Sequence, residues 1–250
     1  MKQVILAPIG RAEPDDVQGW MEQGGGLGLQ RAWHLPHATV RTYLSRIQRR
    51  DGLGMVQSTP HHPADIAVQL PNPPQRFLAA EMPTFIIEGA LIWARACEQD
   101  TITIFMGRDA ELWTLWREVI AELTRIGIVG REGWTGTEIH LAPPTDTIAN
   151  PNHPLAPDAL TARLFPFVLW EHADPPATLL QTAGRFGTNT LYEIPLGLTV
   201  REFVFNWTGG IPADGQLSLG GRILERKDWN LPLTYDQWGV NLGSGVLECL

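Results

Sequence analysis

The chain has 250 residues, of which 44% are hydrophobic and 18% charged, the balance of one or two globular domains rather than of a disordered or fibrous polymer. Nineteen basic residues against 27 acidic ones leave a net charge of −8, which excludes the basic footprint that non-specific nucleic-acid or anionic-membrane binding requires. With two cysteines, Cys97 and Cys249, the chain builds neither a disulfide framework nor a cysteine-held zinc or iron–sulfur site of its own.

Its apolar runs are interrupted by Pro, Gly or a charge too early to span a bilayer, so no membrane insertion is expected. A thiol-poor chain without a signal peptide is expected in the cytosol. Residues 3–8 fit a short strand. From Val17 to Arg50 the pattern is helical in two pieces, the first loosened by Gly24, Gly25 and Gly26, the second opened by Pro36 and carrying Val40, Tyr43, Leu44 and Ile47. Residues 51–75 are proline-rich and aperiodic, with a short strand at Ile66–Leu70. Pro83 suits a first helical turn, and Phe85, Ile86, Ala90, Trp93 and Cys97 follow on one face. Thr101–Met106 alternates as a strand does. Asp109 caps a second helix whose apolar positions Leu112, Trp116, Val119, Leu123 and Ile126 step by three and four, and Gly127 and Gly130 stop it. Thr137–Leu141 is a further strand. This order gives an α/β layer over residues 1–141.

Residues 142–184 read as a proline-rich linker and irregular segment, marked by Pro143, Pro144, Pro151, Pro154 and Pro157, and form the expected domain boundary. In residues 185–250 the style changes to short strands and tight turns. Thr188–Ile194 is a strand, Thr199 and Glu202 form a Thr-x-x-Glu capping box for a helix to about Trp207, and Gly209-Gly210 ends it. A final strand covers Val246–Cys249. A small β-grasp-like module with a C-terminal strand is expected.

The residues show no active site. His34, His37, His61 and His62 lie in irregular chain without the acidic or thiolate company of a metal centre. The Gly24–Gly28 run does not satisfy G-x-G-x-x-G, no P-loop is present, and Gly243-Ser244-Gly245 is too tight for a nucleophile elbow. Cys97 reads as core, Cys249 as an exposed terminal thiol. Trp134, Trp229 and Trp238 flank irregular chain and suit an interface, whereas Trp93, Trp113 and Trp116 suit the core.

Three stretches in order resemble the NADH-binding flavoprotein subunit of respiratory NADH dehydrogenases and its relatives in NAD-linked hydrogenases and formate dehydrogenases. Pro83-Thr84-Phe85-Ile86-Ile87-Glu88-Gly89, followed by the Thr101–Arg108 strand, is similar to P-H-x-[LI]-I-E-G and a strand ending in R-G. Tyr192–Glu202 with Gly209-Gly210-Ile211-Pro212 is similar to the family's soluble-ligand-binding β-grasp insert, Y-E-V-P-x-G-T-x-L-R-E followed by G-G-I-P. Leu231–Asp236 with Leu242–Gly245 is similar to P-L-D-[FY]-[DE] and L-G-S-G. The resemblance implies a flavoprotein-subunit-like α/β layer followed by the β-grasp module. It also implies FMN and NADH as cofactors and iron–sulfur or other redox subunits as partners. In place of the flavin loop R-G-R-G-G-A-G-F-P-T-G the chain has Arg49-Arg50-Asp51-Gly52-Leu53-Gly54-Met55, and in place of the acidic N-A-D-E-G-E-P-G it has Ala64-Asp65-Ile66-Ala67-Val68-Gln69. Gly52, Gly54 and Arg76 are the positions that match cofactor-binding ones, and they bind only if flavin is retained. The family's cluster-binding helical domain has no counterpart in these residues. The expectation is therefore a structural or assembly subunit without flavin or cluster, in the cytoplasm and peripheral to the inner membrane through its partners. The alternatives are a working FMN-dependent NADH dehydrogenase subunit and a free-standing ligand-binding protein.

Overall fold

The computed structural model describes residues 6–46, 66–69, 73–142, 154–155 and 177–250. Two sheets organise them. The first is parallel, in the order β3-β2-β1-β4, built from β1 (Ile66–Gln69), β2 (Thr101–Phe105), β3 (Glu138–Leu141) and β4 (Pro154–Leu155). Parallel neighbours need crossover connections, which here are helical. Helices α4 (Pro73–Glu81) and α5 (Pro83–Cys97) join β1 to β2, and α6 (Ala110–Arg125) joins β2 to β3.

All of α5 except Arg95 is buried, because its sequence is apolar nearly all round and it lies at the centre of the helical layer. Three short helices cover it from the amino-terminal side: α1 (Val17–Glu22), α2 (Leu27–Trp33) and α3 (His37–Arg46). The expected two helical pieces are thus three. Gly24 and Gly26 take φ of +82° and +80°, which a helix cannot continue through, so the first piece breaks between α1 and α2. Helix α6 shows the clean amphipathic period expected of it: Leu112, Trp116, Val119 and Leu123 are buried, and the Asp109 carboxylate accepts the Leu112 N–H at 3.0 Å as an N-cap. Trp116 donates its indole N–H to the Ala79 carbonyl at 2.8 Å and so pins α6 to α4. Residues 6–10 form turns rather than the end of a strand; the rest of the expected strand at 3–8 lies outside the described residues.

The second sheet is mixed, in the order β6-β5-β9-β7-β8. Its strands are β5 (Ala177–Gly184), β6 (Leu191–Pro195), β7 (Leu217–Leu219), β8 (Arg222–Ile223) and β9 (Val246–Cys249). Two antiparallel hairpins, β5–β6 and β7–β8, flank the last strand, which runs parallel to β5 and antiparallel to β7. Helix α7 (Val200–Trp207) packs Val200, Phe203 and Val204 into the core of this unit. Its capping box is complete: Thr199 Oγ1 accepts the Glu202 N–H at 3.1 Å, and the Glu202 carboxylate accepts the Thr199 N–H at 2.9 Å. A 3-10 turn (Asp228–Asn230) and the short helices α8 (Tyr235–Trp238) and α9 (Val240–Gly243) precede β9.

Three sequence expectations change here. The segment read as linker up to residue 184 contains β5, because Leu180 and Thr182 alternate inward against β9, a partner more than sixty residues away. Cys249, read as exposed, is 1% exposed, since β9 enters the middle of the sheet instead of trailing at its edge. Trp229 and Trp238, read as interface rings, are 1% and 2% exposed; they fill the second core, with Arg226 and Arg222 lying over their faces. Trp93 and Trp116 are core residues as expected, Trp113 is half-buried, and Trp134 stays 44% exposed.

The two units touch through α4 and β5. Leu179 packs against the first core, and the Leu6 N–H donates to the buried Glu193 carboxylate at 3.1 Å. Gly245 has φ +69°, and a Cβ there would stand 2.6 Å from Pro74 Cγ, so the seam needs glycine on both counts.

Candidate functional site

In open parallel sheets, ligands settle outside the carboxyl ends of the strands, where the loops and helix starts converge. Here that edge is made by the residues after β2, Met106 to Asp109, by the start of α6, and by α4. Gly107 turns the chain with φ +66°. A Cβ at Gly107 would lie 3.8 Å from an Arg76 guanidinium nitrogen, so α4 holds Arg76 over the end of β2. Arg108 is exposed beside it. Trp113 closes the far side, donating its indole N–H to the Ala142 carbonyl at 3.3 Å, with the Arg117 guanidinium 5.4 Å above its ring. Of the three residues matched to cofactor-binding positions, Arg76 stands at this edge. Gly52 and Gly54 lie outside the described residues.

A guanidinium over a glycine turn is chemistry that suits an anion. A flavin ring also needs buried donors and acceptors aimed at it. The buried side-chain polar atoms without a partner among the described residues belong to Trp20, Gln23, Arg95, Gln181 and Trp229, none of them on this edge. No group of three or more His, Cys, Asp and Glu able to hold a metal occurs among the described residues either.

The one strongly perturbed carboxylate among the described residues sits elsewhere. Glu88, in the stretch resembling P-H-x-[LI]-I-E-G, is 1% exposed on α5 and reaches the start of α2. Its two oxygens accept the Gly26 N–H at 3.0 Å and the Leu29 N–H at 3.1 Å. Burial pushes its pKa up to about 7, partly opposed by those N–H groups and by the Gly28 N–H. Helix α2 has no side-chain cap of its own, so Glu88 serves as one from 62 residues away. The role is architectural. The sequence alone did not assign it, and the one signal available was an acid inside an otherwise apolar helix.

His34 and His37 are near α2 and α3 but make no metal site. The His37 ring is bonded to Arg95, as described below. His61 and His62 lie outside the described residues. Burial pushes the Cys97 thiol up to about 11, consistent with a core role.

No family model matches the chain, and no curated protein matches it. Solved structures do. Over its whole length the chain resembles a chain of the NAD+-reducing [NiFe]-hydrogenase in the H2-reduced state, with a TM-score of 0.67 and 14% identity. The air-oxidised form of that enzyme matches over 96% of the chain, with a TM-score of 0.66 and the same identity. In both cases this chain spans 51% of the matched one, about half its length. At that identity the likeness establishes the fold, a mixed α/β architecture shared with a hydrogenase chain. Among the described residues no helix is long and apolar enough to cross a membrane.

Proposed function

We propose that this chain is a non-catalytic structural or assembly subunit of a multi-subunit redox complex. In this reading it derives from the NADH-binding flavoprotein subunit and packs against iron–sulfur or other redox subunits. The observation that carries it is the fold likeness, which runs through both units of the chain instead of through one common α/β layer. The three collinear stretches at Pro83–Arg108, Tyr192–Pro212 and Leu231–Gly245 support the same origin. The strand order β6-β5-β9-β7-β8, two outer hairpins around a central parallel pair with a helix across them, supports reading the second unit as β-grasp. A cytoplasmic site, peripheral to the inner membrane through partners, goes with this reading.

The proposal that chemistry has been given up rests on the replaced loop around Gly52 and Gly54, the lost acidic stretch at Ala64–Gln69, and a carboxyl edge to which the described residues aim no unpaired buried side-chain atom. A flavin held there would lack the hydrogen bonds to its ring, each worth ~1–3 kcal/mol with charged groups. The test is the flavin content of protein purified without reconstitution, followed by titration with FMN. The reading expects no flavin absorption or fluorescence and no saturable uptake; stoichiometric FMN would refute it.

One observation favours a second reading, a working FMN-dependent subunit. Arg76, matched to a family arginine, stands at the carboxyl edge over Gly107. Under that reading the purified protein carries FMN, and Arg76→Ala releases it.

A further inference from the structure

At the amino ends of β2 and β3, opposite the edge described above, lies a cleft whose lining includes Trp33, His37, Arg95, Glu98, Asp100 and Thr135. Three helix ends meet at it. Trp33 is the last residue of α2, His37 the first of α3, and Arg95 stands in the last turn of α5. One pair of side chains ties them together. Arg95 Nη2 donates to the Leu35 carbonyl at 3.2 Å and to the Trp33 carbonyl at 3.5 Å, and its Nη1 donates to His37 Nε2 at 3.1 Å. His37 Nδ1 donates to the Arg95 carbonyl at 2.6 Å. The guanidinium also lies 5.4 Å above the Trp33 ring. The corner between α2 and α3 therefore hangs on Arg95, and His37 sets where Arg95 points.

These two bonds fix the charge of the His37 ring as well as its tautomer. A guanidinium N–H only donates, so Nε2 must offer a lone pair; a carbonyl only accepts, so Nδ1 must carry the proton. An imidazolium has an N–H at both positions and would set Nε2–H against Arg95 Nη1–H, donor against donor and cation against cation. The other groups facing the ring favour a different arrangement. Glu98 and Asp100, from the end of α5 and the turn after it, line the same cleft. Asp100 forms no ion pair among the described residues. The end of α2 presents Trp33, and the segment before β3 presents Thr135, both uncharged. Arg41, one turn along α3, is occupied by the Ala96 carbonyl at 2.8 Å and by Glu98 at 3.5 Å. Two carboxylates of the cleft can thus take the N–H groups that a protonated ring turns away.

We propose that His37 and Arg95 form a proton-operated latch: the neutral ring holds the α2–α3 corner on the end of α5, and the protonated ring releases it. Histidine is the side chain whose charge ordinarily changes between about pH 5 and 8. With the ring neutral, Nε2 accepts Nη1 and the guanidinium keeps the Trp33 and Leu35 carbonyls. With the ring protonated, Nη1 loses its acceptor, the guanidinium turns toward Glu98 and Asp100, and the two carbonyls lose their donor. His37 is half-buried and lines the open cleft, so the proton arrives from solvent without unfolding of the core. The latch stands independently of the redox-complex reading.

The test is NMR and amide hydrogen exchange on the full chain between about pH 7.5 and about pH 5.5. At the alkaline end the His37 ring is expected as the Nδ1–H tautomer, read from its two nitrogen shifts. The Leu35 and Val40 amides close the corner by donating to the Ala32 and Pro36 carbonyls. Their protection factors are expected to fall about tenfold toward the acid end, the Trp33 indole N–H resonance moving with the same midpoint. The Gln181 amide, bonded to the Gly245 carbonyl in the other unit, is expected to keep its protection, which separates release of the corner from general unfolding. His37→Asn retains an N–H donor for the Arg95 carbonyl but does not titrate, so its corner is expected to show no such pH dependence. An Nε2–H tautomer at the alkaline end, or corner protection that stays constant to the acid end, overturns the proposal in the wild-type protein alone. So does an equal loss of protection at Gln181, or a pH dependence that survives in the His37→Asn protein.

Discussion

Replacing Glu88 by glutamine probes a carboxylate that holds the start of a helix from inside the core. In the folded chain its pKa is about 7 against an ordinary 4.5, because burial disfavours the charge more than the N–H groups of Gly26 and Leu29 favour it. A folded-state value above the unfolded one means that the folded chain holds the proton more tightly. The stability contributed is therefore fully present below about pH 4.5 and is lost as pH rises through about 7. A rise from 4.5 to about 7 corresponds to ~3 kcal/mol across that window. Glutamine keeps the shape but does not titrate, and it turns an NH₂ toward one of the two N–H donors, leaving that donor unmatched at ~1–3 kcal/mol. Urea unfolding of both proteins between about pH 5 and about pH 8 measures the effect, and subtracting one curve from the other cancels the titrations they share. The wild type's advantage over Glu88→Gln is expected to be greatest at the acid end and to shrink by up to ~3 kcal/mol toward the alkaline end. A difference that stays flat with pH would refute the burial argument, and an unchanged stability at every pH would refute the cap.

Other consequences follow from single contacts. Thr199→Ala removes the hydroxyl that accepts the Glu202 N–H and is expected to cost ~1 kcal/mol in urea unfolding, without loss of the β5–β9 pairing. Glu98→Gly relieves the left-handed backbone at the end of α5 and is expected to stabilise the chain by ~0.5–1 kcal/mol, read as a higher Tm. Cys97 and Cys249 are both buried, so a thiol reagent is expected to label neither in the native protein and both in denaturant. Rapid native labelling of Cys249 would place β9 at an edge instead of in the middle of its sheet.

What the sequence revealed was what its local chemistry determines. Helix α6 announces itself because its apolar residues step by three and four behind an aspartate cap, and α7 because Thr199 and Glu202 satisfy each other within one turn. Long-range pairing was not legible. Strand β5 lies in proline-flanked chain whose partner is β9, and the same insertion of β9 buries Cys249 and closes the core around Trp229 and Trp238. Arg76 could be matched by resemblance, but its position over Gly107 depends on how α4 crosses the sheet. The cleft lined by Trp33, His37 and Arg95 had no sequence signal, because these residues come from three separate helices, α2, α3 and α5.

The measurement that bears most directly on the proposed function is the composition of the particle that carries this chain when it is isolated gently from its own cells. The account predicts a stable hetero-oligomer containing iron–sulfur or other redox subunits, held through an interface above ~1,000 Å² and shielding Trp134 from solvent. A chain recovered as a monomer, with no partner and with Trp134 as exposed as in isolation, would contradict it.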